Sequence, residues 1–277
     1  MKKIIAITSG EKNKLKPYIE AFTTPDTIPV LIPTFNLSEE EIENEETSNK
    51  LLNIAEKIAD KLDALVLSGG EDINPINYGQ DNIAATGCNN SRDKTEVALV
   101  NAFSKRNKPI LGICRGHQIL GLMYGLNYFA QDLTKVRELH NGNIAGLKDR
   151  KEPVHTVYVW GSYAEWLKKK GYKQNGNFMK MNVNSWHHEG FVFLPKSMGR
   201  IKENNLADFI ENFTKDTDLE IILSTKAVIE GFRSITKPIL SCQYHAESYP
   251  KSIFIKYFLE EYVLKNGPKN RSVETKK

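Results

Sequence analysis

One cysteine in this sequence is set up for nucleophilic chemistry. Cys114 follows the apolar run 110–113 and stands between Gly112 and Gly116. A chain that turns sharply from a buried strand into a helix needs small neighbours at the bend, because side chains there collide. G-x-C-x-G is the cysteine form of the nucleophile elbow, which lifts the sulfur above a sheet and points a helix N-terminus at it. Such a terminus carries partial positive charge and free N–H groups, which favour a thiolate and can bind an oxyanion. A cysteine ending an apolar strand is commonly an inert core residue. Here the polar run Arg115-Gly116-His117-Gln118 follows directly and places the sulfur near solvent.

A thiol nucleophile needs a base, and the base needs a group to orient it. The stretch 239–244 reads as a strand and runs into His245, Ala246 and Glu247. Residues i and i+2 of an extended chain face the same way, so the Glu247 carboxylate reaches the His245 ring. A carboxylate on one ring nitrogen fixes the tautomer and leaves the other nitrogen for the thiol. His-x-Glu is unspecific by itself. Paired with the elbow upstream, it predicts a covalent thiol enzyme.

The elements that must position these groups are visible as a pattern. Strands are expected at 3–8, 29–33, 63–67 and 109–113, and helices at 51–61, 94–105, 119–124 and 252–264. Strand, glycine turn and helix in repetition imply a parallel sheet covered on both faces, with ligands beyond the carboxyl ends of its strands. The turn Ser68-Gly69-Gly70 and the Cys114 elbow both fall at such ends. Shorter β-like pieces lie at 154–160, 181–183, 191–194, 220–223, 227–232 and 239–244. The polar stretches 141–151 and 202–218 read as surface excursions. One domain is expected over 1–265, followed by a polar tail at 266–277.

Four segments carry a resemblance to a known family. They are Ser68-Gly69-Gly70-Glu71-Asp72-Ile73-Asn74-Pro75 with Tyr78-Gly79, then Gly112 to Gln118, Val183-Asn184-Ser185-Trp186-His187-His188, and Gln243-Tyr244-His245-Ala246-Glu247. The chain resembles the class I glutamine amidotransferase-like hydrolases, and within them the gamma-glutamyl-gamma-aminobutyrate hydrolase family. The resemblance implies an α/β fold, a flavodoxin-like three-layer sandwich with a mostly parallel central sheet and a nucleophile-elbow cysteine. It implies Cys114 as nucleophile, His245 as general base and acid, and Glu247 as the orienting carboxylate. It also implies an oxyanion hole from the backbone N–H groups of Arg115 and Gly70. Two pre-aimed donors of that kind contribute roughly 3 kcal/mol each to a tetrahedral intermediate. The chain departs from the family at Ala246, where proline is usual, at Tyr244, where tryptophan is frequent, and at Glu189, where glutamine is common.

A γ-glutamyl group carries both an ammonium and a carboxylate. Arg92 is expected to fork the carboxylate, and Glu71 or Asp72 to face the ammonium. The resemblance implies that Gln118 and the loop with Ser185, His187 and His188 border the substrate. Adjacent histidines on a strand point in opposite directions, and no carboxylate spacing supports a ligand set, so no metal or cofactor is expected. His117 reads as a local packing or capping residue, and Cys88 and Cys242 as structural.

Composition narrows the function classes. Of 277 residues, 40% are hydrophobic and 26% charged, and the net charge of +4 is dispersed, so no nucleic-acid stripe is present. Three cysteines without paired spacing suggest neither disulfides nor zinc and fit a reducing compartment. No apolar run reaches membrane-spanning or signal-peptide length, so a cytoplasmic protein without membrane or nucleic-acid partners is expected, with a homo-oligomer open. The expected activity is hydrolysis of a γ-glutamyl amide, in polyamine breakdown, polyglutamate trimming or a specialised route. Two other readings stand beside it. One is a glutaminase subunit that passes ammonia to a separate synthase; the other is a non-catalytic sensor of a γ-glutamyl metabolite.

Overall fold

A computed structural model describes residues 1–10, 15–134, 136, 139–174, 178–194 and 201–265. The expected tail at 266–277 lies outside the described residues. Strands β1 (Lys3–Ser9), β2 (Thr27–Pro33), β3 (Ala64–Leu67), β4 (Ile110–Ile113) and β5 (Phe129–Ala130) fall in the first half. The second half adds β6 (His155–Val159), β7 (Met179–Val183), β8 (Gly190–Val192), β9 (Leu219–Ser224), β10 (Val228–Ser234) and β11 (Ile239–Cys242). The helices are α1 (Lys16–Phe22), α2 (Glu39–Glu43), α3 (Glu45–Lys61), α4 (Asn90–Lys105), α5 (Arg115–Met123), α6 (Gly161–Lys169), α7 (Leu206–Thr214) and α8 (Ile253–Phe258).

The strands join one sheet in the order β2-β1-β3-β4-β11-β10-β9-β6-β7, with β8 pairing β10 and β5 pairing β8. The five strands from β2 to β11 are parallel to one another. Beyond β11 every pairing is antiparallel. The expected parallel sheet is therefore the central, site-bearing part, and the short β-like pieces of the second half form an antiparallel extension. Among the described residues, no helix is long and apolar enough to cross a membrane.

Alternation along the parallel strands builds the three layers. Ile5, Ile7, Ala64 and Val66 face the cluster that contains Tyr18 of α1, Trp166 of α6 and Phe254 of α8. Ala6, Leu65 and Leu67 face the opposite cluster, with Ala55 of α3, Leu99 and Phe103 of α4, and Leu120 of α5. Both strand faces are buried, which is why these runs read as continuously apolar. Helices α1, α2, α6 and α7 lie outside the sequence expectations. The stretch 202–218, expected as a surface excursion, contains α7, which buries Leu206 and Ile210. Helix α6 buries Tyr163, Trp166 and Leu167. Both are short amphipathic turns whose stabilisation comes from docking on the sheet rather than from local propensity.

Candidate active site

The bend at Cys114 is as sharp as the glycine spacing demands. Cys114 is the residue before α5 and has φ of 52° and ψ of −105°. A non-glycine residue held there costs on the order of 1–3 kcal/mol and persists only when its surroundings fix it. The Cys114 N–H donates to the Cys242 carbonyl at 2.9 Å, tying the bend to the neighbouring strand. A Cβ on Gly112 would lie 2.4 Å from the Gly116 carbonyl oxygen, and one on Gly116 would lie 2.4 Å from the Leu67 carbonyl oxygen. Neither position admits a side chain, because β3, β4 and the first turn of α5 are in backbone contact.

Parallel pairing of β4 with β11 sets the partner. Ile113 lies opposite Cys242 in that ladder, so the residues just past each strand, Cys114 and His245, emerge at the same edge. His245 Nδ1 donates to Glu247 Oε1 at 2.7 Å. The other ring nitrogen is left for the Cys114 thiol. Burial disfavours charge on His245, but the Glu247 carboxylate and the Cys114 sulfur outweigh it and push the imidazole up to about 10. Asn184 holds the base from its backbone. The His245 N–H donates to Asn184 Oδ1 at 2.9 Å, and Asn184 Nδ2 donates back to the His245 carbonyl at 3.1 Å.

The glycine turn closes over this pair. A Cβ on Gly69 would stand 2.8 Å from His245 Cε1 and 3.4 Å from Cys114 Cβ, so only glycine lets the turn approach both. The Gly69 N–H is occupied by Tyr18 Oη at 2.8 Å. Gly70 follows in the same turn, and a Cβ there would lie 2.1 Å from Arg92 Nη1. The sulfur also accepts from Gln243 Nε2 at 3.6 Å. A strained, gripped cysteine facing an imidazole–carboxylate pair is arranged for acyl transfer through sulfur.

Residues 6–247 match the peptidase C26 family. The chain belongs to this family. It is 31% identical over 157 residues to YvdE, a glutamine amidotransferase-like protein of Lactococcus lactis, covering 56% of this chain and 62% of that one. The match thus spans less than two thirds of that relative. A glutamine amidotransferase-type protein of Schizosaccharomyces pombe is 26% identical over 252 residues, covering 88% of this chain and 79% of the other. The fold is shared with solved structures. The glutaminase domain of Trypanosoma brucei CTPS with bound acivicin aligns at a TM-score of 0.52 and 13% identity, covering 93% of this chain and 92% of that chain. A GMP synthase-type protein of Thermoplasma acidophilum aligns at 0.51 and 18% identity, covering 94% of this chain and 91% of that chain.

In this C26 protein several expected substrate contacts are turned inward. Arg92 does not face a substrate carboxylate. It is fully buried, and its donors go to Glu96 at 3.0 Å, Glu71 at 2.7 Å, the Ser68 hydroxyl and carbonyl, and the Gly69 carbonyl. It braces the glycine turn from behind, and Glu71 is its counter-ion rather than a free group for an ammonium. The Arg115 side chain is likewise spent on Asp93 and Glu96, while its backbone begins α5. Ser185 donates its hydroxyl to the His140 carbonyl and is buried, so it supports the loop instead of lining a pocket. His117 packs between Phe191 and Phe232, and burial pushes it down to about 4. Cys242 is buried and Cys88 partly exposed.

Other expected residues are linked to the 184–189 loop. His188 Nε2 donates to Asp72 Oδ2 at 3.0 Å, linking the glycine turn to the 184–189 loop. That bond pushes His188 up to about 9. Gln118 Nε2 donates to the Glu189 carbonyl at 3.3 Å and to Gln243 Oε1 at 3.5 Å. Burial, with the Asp72 charge adding, pushes the Glu189 carboxyl up to about 8. Neither of its oxygens has a hydrogen-bond partner among the described residues. His187 departs from expectation. Its Nδ1 donates to the Glu189 carbonyl at 2.7 Å, and its ring lies beside His140 within a group centred on Glu230. The carboxylate nearest His187 in the fold is not Glu189, two residues on, but Glu230 from β10. Tyr18 escapes sequence reasoning, and Asn184 and Gln243 stand in the family segments without an assigned role, since each acts through backbone or sulfur contacts that no local spacing reveals.

Proposed function

We propose that the protein hydrolyses a γ-glutamyl amide through a thioester on Cys114. The observation that carries this reading is the buried His245–Glu247 pair, 2.7 Å apart, facing a cysteine held at a strained strand-to-helix bend. His245 accepts the thiol proton, and the sulfur attacks the γ-carbonyl carbon. The carbonyl oxygen becomes an oxyanion, for which the backbone N–H groups of Arg115 and Gly70 are the proposed donors. Collapse breaks the C–N bond, and the amine leaves with the proton from His245. Water then gives a proton to His245 and attacks the thioester carbon. Glutamate departs, and the thiol regains its proton.

The rim supports a cationic group on the substrate. Asp72 and Glu189 gather acidic oxygens around His188, and a substrate ammonium there would supply the partner that the Glu189 carboxyl lacks. This shifts the ammonium contact from Glu71 to Glu189 and leaves Asp72 in place. A second reading, ammonia production from glutamine for a separate synthase, draws on the solved glutaminase domain of similar fold. Glutamate release by the purified chain from γ-glutamyl-GABA, other γ-glutamyl amines and glutamine tests both readings. Turnover of γ-glutamyl amines by the chain alone supports the first. Turnover of glutamine alone, rising when a synthase is added, replaces it with the second.

A further inference from the structure

We infer that His140, His155, His187 and Glu230 form a binding site for one divalent transition-metal ion of the zinc type, separate from the catalytic sulfur. Ligand atoms of His140, His155 and Glu230 all lie within 4.8 Å of one another. Glu230 Oε1 is 3.1 Å from His140 Nδ1, 3.2 Å from His155 Nε2 and 3.9 Å from His187 Nε2. Four ligands around zinc at about 2.0–2.1 Å stand roughly 3.3 Å from each other, which the His140 and His155 distances to Glu230 match, while His187 lies outside that mutually close group and would have to move inward to complete it.

The polar atoms of this group are poorly satisfied for their burial. Among the described residues, neither oxygen of Glu230, neither ring nitrogen of His140, nor Nε2 of His187 has an aligned hydrogen-bond partner, although all are buried. A cation among them would supply the partner that buried polar atoms ordinarily have. The outer contacts fit as well. His155 Nδ1 donates to the Leu139 carbonyl at 3.0 Å and His187 Nδ1 to the Glu189 carbonyl at 2.7 Å. Carbonyl oxygens only accept, so these bonds fix the tautomer that leaves Nε2 as a lone-pair donor, as in known metal sites. Glu230 is delivered by a bulge: the β10–β9 register slips between Ile229 and Gly231, and the extra residue is Glu230. A cavity of about 260 Å³ lined by His140, His187, Leu133, Val136 and Ile144 gives an ion a way in.

The ion would tie β6, β10 and the 139–141 and 184–190 segments together. It would connect to the nucleophile through Gln243, because the Glu230 carbonyl accepts from the Gln243 N–H at 2.8 Å and Gln243 Nε2 contacts the Cys114 sulfur. Cys114 and His245 are not among its ligands, so its role is structural.

The test uses the full chain, purified without chelator, exposed to zinc chloride and desalted. Elemental mass spectrometry should find one zinc per chain, and cobalt loading should give the intense visible absorption of four-coordinate geometry. In competition with a chromogenic chelator, His155→Ala and Glu230→Gln should each weaken zinc binding at least about 10-fold, the scale seen even for outer partners of metal ligands. His188→Ala, in the other group of close ligand atoms with Asp72 and Glu189, should leave it unchanged. Absence of both zinc and the cobalt signal in folded wild-type protein overturns the proposal. So does zinc uptake that survives His155→Ala and Glu230→Gln, or that disappears in His188→Ala. Should Glu230→Gln fail to fold, His140→Ala and the wild-type cobalt spectrum decide.

Discussion

Two buried histidine–glutamate groups lie on either side of the segment 184–189, and they are built on opposite plans. In the first, His245 and Glu247 are two residues apart and share one aligned hydrogen bond of 2.7 Å. In the second, His140, His155 and His187 come from separate segments and surround Glu230 at 3.1 to 3.9 Å. A proton moves along a line, so a base needs one carboxylate aimed at one nitrogen. A cation sits at a centre, so its ligands converge without bonding to each other. The first is one short bond between two side chains, and the second a looser gathering of three rings about one carboxylate. Both rest on the same support: Asn184 grips the His245 backbone, while Ser185 and His187 hold the other group.

Substitutions can break this contrast, beginning with the largest expected effect. Cys114→Ala should lower kcat for a γ-glutamyl amide by about 10⁴-fold or more, as loss of a nucleophile does. Residual turnover within 10-fold of wild type would place the chemistry elsewhere. Glu247→Gln should lower kcat by about 10²–10⁴-fold and move the alkaline limb of the pH profile to lower pH. The sign follows from charge: Glu247 helps raise the imidazole to about 10, so its removal lets the proton needed by the leaving amine depart earlier. An unmoved limb would mean that Glu247 only packs. Asn184→Ala should lower kcat by about 10- to 100-fold with little change in KM, because a misplaced base costs rate on that scale. A change confined to KM would contradict positioning.

The smallest effect concerns stability. Folded Glu189 keeps its proton up to about 8, against an ordinary value of 4.5. Between those limits unfolding releases a proton, so wild-type stability falls as pH rises through the window. Glu189→Gln removes the titration. Its Tm should exceed wild type by a few °C near pH 8 and match it near pH 4, roughly 2–4 °C for each kcal/mol. An equal offset at both pH values would show that burial of the charge is not the cause.

The proposed catalytic group is legible in the sequence because its determinants are local. Two glycines around a cysteine describe a bend, and an i, i+2 pair describes a shared face. The parallel strands are legible for the same reason, as both-face burial leaves unbroken apolar runs such as Ala64–Leu67. Arg92 misleads because its residue type announces a charge but not its partners, Glu71 and Glu96, which only the packing of α4 under the glycine turn supplies. Glu230 is invisible inside the β-like run 227–232, since a bulge exists only relative to the register of a neighbouring strand. The helix α7 is hidden by its polar flanks, and its few apolar residues acquire meaning only against the sheet.

The central claim is a glutamyl unit carried on one sulfur. Intact-protein and peptide mass spectrometry after rapid acid quench, during turnover of a γ-glutamyl amide, measures it directly. The account predicts a glutamyl adduct on the Cys114 peptide that forms and decays with turnover and is absent in Cys114→Ala. Full turnover without that adduct in wild type, undiminished in Cys114→Ala, would contradict it.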